Sequence, residues 1–164
     1  MVKPGEGNTT TIYLAPGVYS RDRNGEAFPI IMPDNVHLVG DEAETTILTA
    51  NADEDNQAAV MVIPECENVR VANMTLKDGY AEHHGCAGGG ALLVTSNDRF
   101  DLSWEMYPNN AILENLILED SYSKNGGGLS LYRVDGVTVN NVIVRNNTAL
   151  MMGGGINVYS ANVN

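Results

Sequence analysis

The segments VRVANMTLKD (69–78), AILENLILED (111–120) and VTVNNVIVRN (137–146) decide the fold of this chain. Each alternates apolar and polar residues, and each places an asparagine, Asn73, Asn115 or Asn141, where the alternation changes phase. Downstream of each stands a glycine triplet that leads into a second hydrophobic alternation: GGGALLV (88–94), GGGLSLY (126–132) and GGGINVY (153–159). A lone glycine-rich run could cradle a phosphate, but that requires a Lys and a Ser or Thr just after it at the start of a helix. None of the three triplets has them. A structural repeat accounts for triplets and alternating segments together.

Gly126 and Gly153 lie 27 residues apart and Asn115 and Asn141 lie 26 apart, whereas 42 residues separate Asn73 from Asn115. The long step contains an extra run near 99–108, RFDLSWEMYP, that the following coil lacks. A unit of this length with period-two alternation and no helical periodicity is a coil of strands. It is too short for a propeller blade and lacks the helix of a leucine-rich repeat. Stacked coils bond to one another as parallel sheets, which sets equivalent residues about 4.8 Å apart along the axis. Asn73, Asn115 and Asn141 then form a structural ladder whose amides bond to one another inside a turn. The glycines let the backbone turn tightly before each new strand, at positive φ where required.

This pattern resembles the right-handed, single-stranded parallel β-helix of the pectate-lyase-like superfamily. The opening TIYLAPGVYS (11–20), followed by GEAFPIIMPDNVHLVGDEAETTIL (25–48), is similar to the first coils of secreted bacterial β-helix proteins of the domain-of-unknown-function 1565 type. The later GGG coils resemble repeats of bacterial cell-surface and polymorphic outer-membrane proteins. The resemblance implies an all-β solenoid of roughly four to five coils, one domain over 1–164 with a loop insertion near 99–108, and an extracellular or cell-surface location. It implies less about activity, because the superfamily includes pectate lyases, other polysaccharide lyases and hydrolases, adhesins, and members without known chemistry. Related chains usually carry a short capping helix before the TIYLAPG strand. Here it is missing, and INVYSANVN begins a coil without closing it, so a piece of a longer exported protein is expected.

Composition agrees with one all-β unit: 43% hydrophobic residues against 6% aromatic suit a narrow interior lined by Val, Ile and Leu. No apolar run approaches the roughly 20 residues of a membrane span, and MVKPGEGNTTT lacks a signal-peptide core. Nine Lys and Arg against 21 Asp and Glu give a formal net charge of −12, with clusters at DEAE (41–44) and DED (53–55). Such a surface repels nucleic acid and anionic membranes. It also argues against unassisted binding of an acidic polysaccharide, unless Ca²⁺ bridges the two sets of carboxylates. A solvated face that keeps the protein soluble explains the same charge. Cys66 falls after one strand and Cys86 before its equivalent in the next coil. About five residues at ~3.3 Å each separate them by about 15 Å, beyond disulfide reach.

In-register stacking turns sequence positions into columns. Lys77, Glu119 and Arg145 share one, which predicts a salt-bridge ladder. Asp78, Asp120 and Asn146 share the next. Two carboxylates about 5 Å apart suit Ca²⁺ or an acid/base pair, whereas an Asp/Asn stack that stabilises a turn explains them without any reaction. Tyr132 and Tyr159 form an outward column, and Tyr80 and Tyr122 a second, fit either for stacking on sugar rings or for packing on each other. The inserted run carries Phe100, Trp104 and Tyr107, flanked by Asp98, Asp101 and Glu105. Rings for the apolar face of a sugar and carboxylates for its hydroxyls would suit carbohydrate; a flap over hydrophobic coil surface is the alternative. The cluster EHHGC (82–86) is a poor metal site, because adjacent side chains seldom converge on one ion.

Pectate lyases of the resembled superfamily use an Arg or Lys base beside Ca²⁺-binding acids. Arg70, Arg133 and Arg145 are present without a recognisable lyase motif, and neither the grouped Asp motifs of the hydrolases nor a nucleophile elbow occurs. Sequons at Asn8, Asn73 and Asn146 carry little weight, since two of them fall in stacked turns. Three readings follow. The first is a noncatalytic scaffold or binding module of a secreted or cell-surface bacterial protein, with carbohydrate contacted through the insertion. The others are the amino-terminal part of a polysaccharide lyase or glycoside hydrolase, and a unit that self-associates through its solenoid ends.

Overall fold

The computed structural model describes residues 8–82, 88–95 and 106–164. The chain winds through five coils. The first holds β1 (Thr10–Leu14), β2 (Gly17–Ser20), the single-turn helix α1 (Arg21–Asn24) and β3 (Ile30–Ile31). The second holds β4 (Val36–Gly40), β5 (Thr46–Thr49) and β6 (Met61–Ile63), and the third β7 (Arg70–Lys77), β8 (Tyr80–Ala81) and β9 (Leu92–Thr95). The fourth contributes β10 (Tyr107–Pro108), β11 (Ile112–Glu119), β12 (Tyr122–Asn125) and β13 (Leu129–Tyr132). The fifth contributes β14 (Val134–Arg145), β15 (Thr148–Met152) and β16 (Ile156–Tyr159), after which β17 (Asn162–Val163) opens another turn. The strands stack in the orders β1-β4-β7-β11-β14, β8-β12-β15 and β3-β6-β9-β13-β16, with parallel pairing throughout these stacks. The fold is an all-β parallel solenoid. Among the described residues no helix is long and apolar enough to cross a membrane.

The register follows from which residues must be inside. Leu113 pairs with Val71 below and Val139 above, and Leu118 with Leu76 and Val144. On the facing sheet Leu131 lies between Val94 and Val158. These rows form one continuous apolar column whose central members, Val71, Leu76, Val94, Leu113 and Leu118, are fully buried. A slip of one residue would turn every such side chain outward, so burial fixes the register.

Each coil closes by bending at residues in the left-handed region. Asn73, Asn115 and Asn141 have φ of 57°, 51° and 50° and stand in one column. This reversal changes the phase of the alternation, so that Leu113 and Leu116, three residues apart, both enter the core. Asn tolerates the region because its short amide bonds locally. Here the amides bond to one another: Asn115 Nδ2 donates to Asn73 Oδ1 at 2.9 Å, and Asn141 Nδ2 to Asn115 Oδ1 at 2.9 Å. Asn73 Nδ2 starts the ladder on the carbonyl of Gly40 at 3.4 Å. Other corners use the same device, with Asn35 above Thr9 and below Asn68, and with Asn51, Asp78, Asp120 and Asn146, all at positive φ apart from Thr9.

The glycine triplets do two different things. Gly88, Gly126 and Gly153 lead them at φ of 60°, 65° and 62°, which is the expected tight turn. Gly90 and Gly127 are glycine for want of space. A Cβ on Gly90 would come within 2.6 Å of the Tyr122 carbonyl oxygen, and one on Gly127 would overlap the carbonyl oxygens of Thr148 and Gly154. The corner therefore brings the backbones of successive coils against one another.

The sequence-based limits of the insertion need correction. Tyr107 and Pro108, the last residues of the 99–108 run, belong to the coil as β10 and pair with Val134 and Asp135. Tyr107 N–H donates to Arg133 O at 3.1 Å and Asn109 N–H to Asp135 O at 2.8 Å, so their backbone is committed to the sheet.

The ladder makes a testable demand. Asn115→Ala removes two amide bonds and puts a poorly suited residue at φ 51°, for an expected loss of about 2–4 kcal/mol in urea unfolding. Asn115→Gly removes the same bonds yet accepts the dihedral, and is expected to be the less destabilised of the two. Equal losses would mean that the backbone reversal contributes nothing.

Candidate functional site

Among the described residues, the outward face beside the glycine corner joins an aromatic stack to a recess. Tyr132 ends β13 after the core residue Leu131, and Tyr159 ends β16 after Val158, which is in register with Leu131 but exposed on the last coil. Direct pairing across the coils stacks their rings with centroids 5.0 Å apart and planes inclined by 10°. Tyr132 also packs on a small second cluster, Ala59, Val62, Ala81 and Leu93, on the outer side of the sheet. Lys124 of β12 and Met152 of β15 stand on the other flank of the corner. Together with Asn157 and the two tyrosines they line a recess of about 180 Å³.

Tyr107 stands apart from this pair. The guanidinium of buried Arg133 lies over its ring, 5.7 Å from the centroid. Phe100 and Trp104 lie outside the described residues, as do His83, His84 and Cys86. The second column, Tyr80 on Tyr122, has centroids 4.5 Å apart at 24°, and the Tyr122 hydroxyl donates to Glu82 Oε1 at 3.0 Å. Burial and the Glu82 carboxylate hold the Tyr80 phenol above its ordinary range; for Tyr122 the bond to Glu82 leads and burial follows.

Asp78 and Asp120 occupy adjacent left-handed corners, with φ of 54° and 51°. Lys77 Nζ sits 3.5 Å from an oxygen of each, so the chain supplies a cation at this pair. Partial burial opposes the ammonium charge, but Asp78 and Asp120 outweigh it and raise the Lys77 pKa. Asp78 also accepts from Thr49 Oγ1 at 2.8 Å. Among the described residues no group of three His, Cys, Asp or Glu side chains is placed to hold a metal ion.

The salt-bridge ladder expected along Lys77, Glu119 and Arg145 forms only in its upper half. Arg145 places Nε 2.7 Å and Nη2 2.6 Å from one oxygen of Glu119. Lys77 pairs in register with Glu119 but reaches instead to the corner, where its flexible arm meets two carboxylates rather than one. A further pair escaped the sequence reading. Arg70 bonds Glu114 at 2.8 Å, although its direct neighbour on β11 is Ile112. The signal was opposite charge on a cross-strand diagonal, two positions along.

A shallower cleft of about 260 Å³ follows the asparagine ladder, bounded by Asp41, Glu42 and Glu44. The DEAE loop is fastened over it by Thr75 Oγ1, which donates to Ala43 O at 2.7 Å.

The family described as "Protein of unknown function (DUF1565)" matches residues 2–163. The chain belongs to the DUF1565 family. Among curated proteins and among solved structures, none matches it. Membership accords with the coil geometry and leaves the chemistry to be argued from the side chains.

One ionisable group of this DUF1565 chain is clearly structural. Cys66 is a buried free thiol that donates to Met32 O at 3.1 Å. Burial, then the Asp34 and Glu65 carboxylates, push its pKa up from 9.0 to about 11. The folded state thus favours the protonated thiol. Its stabilising contribution is complete below pH 9 and lost as pH rises towards 11. In a Cys86→Ser background, Cys66 is expected to resist Ellman's reagent at pH 8 until the protein unfolds; fast labelling of the folded protein would contradict this placement.

Proposed function

We propose that this DUF1565 chain is a noncatalytic β-helix binding module of a secreted or cell-surface bacterial protein, and that it contacts carbohydrate at the glycine corner. The observation that carries this reading is the outward Tyr132–Tyr159 stack bordering a recess that also holds amide and ammonium groups. Aromatic faces take the apolar faces of sugar rings, and a few polar groups fix orientation. Three cations that a lyase could employ are otherwise engaged. Arg70 and Arg145 are tied to Glu114 and Glu119, and Lys77 lies between Asp78 and Asp120.

A second reading, self-association end to end, is supported by apolar exposure on the outer coils. Ile143, Leu150, Ile156 and Val158 are exposed on the fifth, and Ile12, Tyr13 and Ile31 on the first. Stacked in the solenoid register, Val139 would cover Ile12 and Ile156 would cover Ile30, continuing the core rows.

The binding reading is tested on a glycan array with wild type, Tyr159→Ala and Trp104→Ala. Tyr159→Ala is expected to weaken any hit by about three- to tenfold, and an array blank for the wild type removes the reading. Light scattering over a wide concentration range tests the other: mass should climb with concentration, and a persistent monomer overturns it.

A further inference from the structure

Lys124 lies on the outward side of β12, between Ser123, which is fully buried, and Asn125, which is nearly so. It is half-buried in the same recess as the Tyr132–Tyr159 stack. Arg70, Lys77 and Arg145 each have a carboxylate partner on a neighbouring coil. Among the described residues, no carboxylate lies within ion-pair distance of the Lys124 ammonium. A cation with no carboxylate partner among the described residues, beside an aromatic stack, is a local positive charge on a molecule of net charge −12.

We propose that the recess at the glycine corner accepts one uronic-acid residue of a glycan, with its carboxylate on Lys124 and its ring against Tyr159 and Met152. This rests on the carbohydrate reading above and narrows it. Three observations set the chemistry. The volume, about 180 Å³, is below the roughly 300 Å³ at which pockets begin to take drug-sized ligands, so one sugar ring is the natural occupant. Tyr159 tops the aromatic column and Met152 supplies a polarisable apolar wall, which suit the C–H face of a pyranose. Asn157, whose Nδ2 is held by Ser130 Oγ at 3.4 Å, keeps its Oδ1 for a sugar hydroxyl.

The overall charge limits what kind of acidic glycan fits. At physiological ionic strength the screening length is about 8 Å, so an isolated carboxylate responds mainly to the nearby ammonium. A continuous polyuronate would run on across the acidic surface and be repelled along its length. The site therefore selects a single acidic residue within an otherwise neutral glycan.

The test is calorimetric titration of the full chain with neutral disaccharides and their glucuronic- and galacturonic-acid counterparts, alongside polygalacturonate. At least one acidic disaccharide is expected to bind about tenfold more tightly than its neutral counterpart, as a charge-assisted bond would give. It should also bind better, per uronate, than the polymer. Lys124→Met should abolish the preference for the acidic partner while leaving the melting temperature unchanged; Tyr159→Ala should weaken both partners and keep the preference. Equal affinity for neutral and acidic partners, or a preference that survives in Lys124→Met, overturns the role of Lys124 and leaves the carbohydrate reading standing. Binding of no saccharide at all removes both.

Discussion

Everything in this molecule depends on the hydrogen-bonded register between coils. That register is maintained by two terms acting at different points of the winding. Apolar rows such as Val71, Leu113 and Val139 decide which face of each strand is inside. The amide ladder of Asn73, Asn115 and Asn141 decides where each strand bends, because the backbone there must reverse its phase and its polar groups need partners. If either term shifted by a residue, the other would be frustrated. Their agreement is what gives a sequence of short strands one structure rather than several.

The glycine corner is the second constraint, and it links fold to surface. Because Gly90 and Gly127 admit neighbouring carbonyls where other residues would place a Cβ, the corner is thin and sharply bent. The outward faces of the strands on its two flanks then converge on a common recess. Lys124 from one flank and Tyr132 and Tyr159 from the other reach it for that reason. A site built this way belongs to strands, and its positions, though not all of its side chains, recur with the period of the solenoid.

Charge is distributed by the same repeat. Lys77, Arg145 and Arg70 could each be assigned from sequence to a column, yet only Arg145 pairs with the carboxylate directly beside it. Side-chain reach explains the other two: Lys77 bends to the corner carboxylates, and Arg70 spans the diagonal to Glu114. A column predicts neighbours along the axis; it does not predict which of several neighbours a long flexible arm will prefer. For Asp78 and Asp120 this difference bears on chemistry, since the cation beside them is an ammonium of the chain itself.

The sequence by itself determined the coil, its period, its inward rows and the asparagine column, because backbone hydrogen bonding and burial act through spacing, and spacing is written in the sequence. It also placed Tyr159 above Tyr132 and both facing outward. Only the tertiary structure decided that Tyr107 belongs to a strand beneath Arg133 and that Gly90 and Gly127 are demanded by close backbone approach. Only it brought Lys124 and Met152 into one recess with the tyrosines. Those outcomes depend on contacts across a corner, between residues that share neither a strand nor a column, and no one-dimensional pattern encodes the angle at which two strands meet.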